Sequence, residues 1–128
     1  MRRILLVAIS LLAGLLTVSR PAMAHHAWRG FDASNRTTLK GVVTEYDFSN
    51  PHISVIFEVT DDRNFAGKWN AGGPSPARLA GSGWDKDTLK PGQEIVFTGL
   101  RNKNGAHEMR LEKVTFSDGR ELVCYGNR

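Results

Sequence analysis

Two of the four histidines of the chain, His25 and His26, stand side by side directly after Ala22-Met23-Ala24. That small-x-small triplet is the pattern signal peptidase accepts. A cut after Ala24 makes His25 the first residue, and its free amine and its own ring Nδ1 then close a six-membered chelate on a metal ion. Nitrogen donors in a square arrangement suit Cu(II), which also heads the divalent affinity order. His26 can add an imidazole or an amide nitrogen, and His52 and His107 are the remaining imidazoles. His25, His26 and His52 are therefore the candidate metal ligands, with copper the one cofactor the sequence suggests. For each, an ordinary structural role stands beside the chemical one. A histidine pair at a chain tip can be a solvated end, His52 can pack at a turn, and His107, just past a hairpin, is expected in solvent.

Whether that nitrogen is ever freed depends on the leader. Arg2 and Arg3 form a positive start, and Ile4 to Val18 is an apolar run of 15 residues. Such a run spans roughly 22 Å as a helix, short of the ~30 Å hydrocarbon layer. Residues 1–24 therefore read as a secretory signal peptide, residues 25–128 as one mature domain, and the location as periplasmic or secreted, with no membrane attachment after cleavage. Removing 24 of 128 residues leaves 104, the size of a single small domain. It also takes three of the 17 Lys+Arg and none of the 13 Asp+Glu, so the mature net charge is +1. The remaining charges are interspersed, without the basic footprint that nucleic-acid binding needs. Cys124, the only cysteine, cannot close an internal disulfide. A half-buried strand position is its expected place, and pairing between two chains is the alternative.

The elements that must carry these residues read as strands. In "ISVIFEVT" (53–60), Ile53, Val55, Phe57 and Val59 share one face, the period of a half-buried strand. "TLKGVVTEYDF" (38–48) is β-branched and aromatic but changes phase, which predicts a curled strand with its bend at Gly41. Asn50-Pro51 turns the chain between the two. "QEIVFTGLRN" (93–102) and "AHEMRLEKVTF" (106–116) flank Asn104-Gly105, a strong hairpin signal. Asp118-Gly119 makes another turn, into "RELVCY". Between the strand pairs lies a Gly/Pro-rich segment in which only "SPARLAG" can form a helix, with Ser75 as N-cap and Pro76 opening it. Strand, strand, short strand, helix, strand, strand is the order of a mainly β, five- to six-stranded OB-like barrel with one short helix.

"HHAWRGFD", "TLKGVVTEYDFSNPH" and "LKPGQEIVFTG" together resemble a family of small exported bacterial proteins catalogued as a domain of unknown function. The likeness runs from about His25 to Leu122. It implies export and the barrel fold, and it carries no established activity. Similar proteins read His-His-Ser-Phe where this chain has His25-His26-Ala27-Trp28, and they carry a carboxylate after the tryptophan that matches Trp69, where this chain has "NAGG".

Metal-free binding is the competing use of such a barrel. Trp84, in the Gly-rich loop, and Asn50, in the Asn50–His52 turn, are the expected contacts for a small molecule, glycan or partner protein. Trp69 is expected in the core. For covalent catalysis the chain lacks Gly-x-Ser-x-Gly, His-Glu-x-x-His and a cysteine beside a base, so nothing points to an enzyme. Asp47, Asp85 and Asp87 read as turn acids, and the glycines lack the Lys-Ser/Thr ending of a phosphate loop.

Overall fold

The computed structural model describes residues 29–125. His25, His26 and the leader lie outside them. Six strands and one helix follow in the order β1 (Phe31–Asp47), β2 (Ser54–Val59), β3 (Gly67–Gly72), α1 (Pro76–Ala80), β4 (Glu94–Asn102), β5 (Glu108–Thr115) and β6 (Glu121–Val123). β1 pairs antiparallel with β2 and β4, β2 with β3, and β4 with β5. A parallel pairing of β3 with β5 closes the ring, and β6 adds to the outer edge of β5. Five strands closed in this way, with a helix between the third and fourth, are the OB-type barrel.

Alternation builds the core. Val55, Phe57 and Val59 of β2 all point inward, no more than 2% exposed, and meet Leu39 and Val43 of β1, Ile95 and Phe97 of β4, and Leu111 and Val114 of β5. Phe57 stacks on Phe97 at 3.9 Å between ring centres. Each such side chain contributes about 1.5–3 kcal/mol by leaving water. The helix contributes Leu79, fully buried, to the core cluster. Pro76 opens it after Ser75 as expected, but the Ser75 hydroxyl makes no capping bond.

The phase change in β1 has a different origin from the one its sequence suggests. The register against β2 shifts between Val43 and Glu45. Leu39, Gly41 and Val43 face inward before the shift, while Tyr46 and Phe48 pack on the core after it. A bulge, one extra residue in the ladder, swaps the two faces. Gly41 itself marks a close approach. A Cβ there would lie 2.5 Å from Cδ2 of Phe57 and 2.8 Å from the Glu58 carbonyl oxygen.

Candidate functional site

The described chain enters the barrel beside the β4–β5 hairpin. The Gly30 carbonyl accepts a hydrogen bond from the Lys103 N–H at 2.8 Å, and Phe31 pairs with Asn102. The histidine pair therefore immediately precedes this entry point in the sequence.

Short polar side chains set the shape of the hairpin itself. Asn102 Oδ1 accepts from the Asn104 N–H at 3.0 Å, and Asn104 Oδ1 accepts from the Ala106 N–H at 2.8 Å. Asn side chains that bond two residues onward stabilise tight turns. Asn102 Nδ2 also donates to Glu108 Oε2 at 2.6 Å across the hairpin, and Gly105 takes a positive φ of 82° at the tip. At the base of this hairpin stands His107. Its carbonyl accepts from the Asn70 N–H at 3.0 Å, and its ring lies flat on Trp69, with centroids 4.5 Å apart and planes 7° from parallel. Trp69 is 1% exposed, and its Nε1 donates to the Phe65 carbonyl at 2.7 Å. Phe65 meets Trp69 edge-on at 6.0 Å, and the Arg101 guanidinium covers Phe65 at 4.9 Å. His107 is exposed as expected, but its ring rests on the buried Trp69. Trp69 and His107 lie far apart in sequence, and no local pattern signals their contact.

His52 and Asn50 are exposed in the turn between β1 and β2, which contains a cis Asn50–Pro51 bond. This turn follows the C-terminal end of β1, where Asp47 pairs with Ser54, whereas the chain entry point is at the N-terminal end. His52 stands just before β2 and His107 just before β5; Ser54 Oγ donates to Asn70 Oδ1 at 3.0 Å, and the Asn70 N–H donates to the His107 carbonyl. Among the described residues no group of three or more His, Cys, Asp or Glu side chains is placed to hold a metal ion.

Trp84 is not the surface contact its glycine-rich neighbourhood suggests. It is 2% exposed, and its Nε1 donates to the Val123 carbonyl at 3.0 Å. Burial of the indole area together with a satisfied N–H outweighs the loop's tendency to solvent. Cys124 is likewise fully buried rather than half-buried, just past β6, and burial pushes its thiol up to about 12. It is a packed, free thiol. Burial also raises the Tyr46 phenol, whose hydroxyl donates to the Asp85 carbonyl at 2.7 Å. Asp85 serves its turn, accepting from the Asp87 N–H at 2.8 Å.

A groove of about 330 Å³ crosses the outer face of β1, β4, β5 and β6, lined by Arg36, Thr98, Glu112, Lys113, Val123 and Tyr125. Its charges are largely paired within the chain: Arg36 with Glu112, and Lys113 with Glu121 at 2.9 Å. The Tyr125 ring is faced by Arg110 at 4.6 Å and Arg78 at 5.8 Å.

Among solved structures, the chain is similar to the crystal structure of the ZRD-deleted mutant of TiaS in complex with agmatine. Identity is 17%, the TM-score is 0.47, and the likeness covers 76% of this chain and 24% of that one. This chain thus spans about a quarter of that protein. No curated protein matches. The family of unknown function DUF6152 matches residues 12–110, most of the chain, and the protein belongs to that family.

Proposed function

We propose that the protein is an exported OB-type binding module whose best-equipped ligand is Cu(II), held by the amine and imidazole of His25 once residues 1–24 are removed. The observation that carries this reading is the position of His25-His26 directly after the Ala22-Met23-Ala24 cleavage pattern. The barrel supports it by tethering the chain only a few residues later, through Gly30 and Phe31. A short tether limits the freedom an N-terminal chelate loses on closing a ring with a third donor. His26 supplies that donor or a further amide nitrogen. The mass of the protein recovered from the periplasm tests the reading. A mature chain of residues 25–128 is expected, and any other start removes the chelate.

A second reading has its own observation. The groove along β1, β4, β5 and β6 falls at the lower end of the volumes that small-molecule sites occupy, about 300–1,000 Å³. In that reading the barrel is a metal-free module for a small polar ligand, and Arg36 and Tyr125 make the contacts. Arg36→Ala would then abolish ligand binding while leaving Cu(II) affinity unchanged.

A further inference from the structure

We propose that the groove across β1, β4, β5 and β6 is a saccharide site, selective for an uncharged, polyhydroxylated ligand. The proposal rests on the metal-free reading of that groove and names its ligand class.

A bulge in the ladder builds the site. β4 and β5 pair Thr98 with Lys113 and Gly99 with Leu111, so Glu112 is an extra residue on β5. Side chains on a regular strand alternate between its faces, and a bulge interrupts that alternation and re-aims a side chain. Leu111 and Val114 are fully buried, while Glu112 and Lys113 between them both line the groove. An acid and a base adjacent in the chain therefore share one surface, which a regular strand would not allow. Gly99 belongs to the same device, because a Cβ there would run into the Arg110 carbonyl oxygen. The Glu112 carbonyl accepts from the Cys124 N–H at 2.8 Å, which fixes the bulge against the segment after β6. Pairing also sets Thr38, Thr98, Lys113 and Val123 in one row, a residue from each strand of the groove. Thr38 and Thr98 share a hydrogen bond at 3.1 Å at one end of the row, and Val123 is 42% exposed at the other.

The chemistry of this lining selects the ligand. Arg36 engages both carboxylate oxygens of Glu112, and Lys113 engages Glu121 at 2.9 Å. A charged ligand gains its full attraction only by displacing one of these partners from its counter-ion. A hydroxyl need not, because it donates and accepts at once. Both capacities are in reserve here, as further N–H groups on Arg36 and Lys113 and further lone pairs on Glu112. The Tyr125 hydroxyl accepts from Arg110 Nε at 3.2 Å and so keeps its own proton to donate. Val123 offers apolar surface to the C–H face of a sugar ring. Donors and acceptors side by side, with an apolar strip, match a polyol, and about 330 Å³ suits a short saccharide.

The test follows amide chemical shifts of isotope-labelled protein by two-dimensional nuclear magnetic resonance during titration. Cellobiose, maltose and diacetylchitobiose are the neutral probes, and glucuronate and glucosamine are the charged ones. At least one neutral saccharide should shift Arg36, Thr98, Glu112, Lys113 and Val123 together and bind more tightly than either charged sugar. Glu112→Ala and Lys113→Ala should each weaken that binding about tenfold, the worth of one hydrogen bond to a charged group. Lys40→Ala, which breaks the Lys40–Glu94 pair outside the groove, should bind as the parent does. A far-UV melt verifies that each variant folds, and the shift map of the parent protein stands without them. Shifts at the groove with a charged sugar alone would overturn the proposal and leave the metal-free reading standing. Equal binding by the parent and both groove variants would place the saccharide elsewhere and overturn it too. No shift there with any probe, neutral or charged, would remove the metal-free reading as well.

Discussion

Replacing Gly41 with alanine separates two accounts of why β1 holds a glycine. If the residue served only to let the strand bend, alanine would be neutral or would gain the 0.4–1 kcal/mol that comes from a less flexible unfolded chain. The structure argues otherwise. A Cβ at this position meets Cδ2 of Phe57 at 2.5 Å and the Glu58 carbonyl oxygen at 2.8 Å. Neither neighbour yields easily. Phe57 is fully buried and stacks on Phe97 at 3.9 Å, and Glu58 is held by backbone pairing to Val42 and Lys68. Overpacking of this kind costs about 1–3 kcal/mol, so the net effect is a loss of roughly 1–2 kcal/mol. For a domain of this size each kcal/mol moves Tm by about 4–8 °C. Circular dichroism melts should therefore place G41A about 5–15 °C below the parent. An equal or higher Tm would refute the close-approach argument and return the glycine to the role of a bend.

Other outcomes follow from the same structure. Trp84→Phe should lose the hydrogen bond to the Val123 carbonyl and about 0.5–1.5 kcal/mol of stability, with Cu(II) affinity unchanged; a denaturant melt and a copper titration check both halves. Cys124 should resist alkylation in the native protein and react at once in denaturant, because its thiol is buried and pushed up to about 12. That shift also has a sign in stability. The folded state holds the thiol proton more tightly than the unfolded chain, so the contribution is complete below the ordinary value of 9.0 and is lost as pH rises from there toward about 12. A Tm that stays flat between pH 9 and 11 would contradict it. Copper binding should weaken as pH falls through the ranges of an α-amine, near ~8, and an imidazole, near ~6.5, because both must shed protons to bind. Chelator competition across pH 5–8 reads this directly.

How much could be read from the sequence depended on whether the deciding interaction was local. The alternation of Ile53, Val55, Phe57 and Val59 names its own buried face, and all four are buried. Asn104-Gly105 and Ser75-Pro76 are local turn and helix signals, and both elements lie where those signals put them. β3 is harder to see, because Gly67–Gly72 contributes only Trp69 and Ala71 to the core. The first half of β1, from Phe31, is polar and short of apolar rhythm, and its pairing with β4 includes a register shift between Phe31 and Arg36. Trp84 was misplaced because the bond that fixes its indole comes from Val123, in a distant strand. His107 on Trp69 is the same kind of contact: the parallel β3–β5 pairing creates it, and neither segment announces it alone.

The free amino group of His25 is the feature on which the functional account turns. Cu(II) affinity should be measured for protein beginning at His25 and for the same protein with one alanine placed ahead of it. The account predicts that the added residue, by converting the amine into a peptide nitrogen and moving the terminal amine away from the imidazole, weakens binding by at least about tenfold. Equal affinity for the two proteins would contradict it.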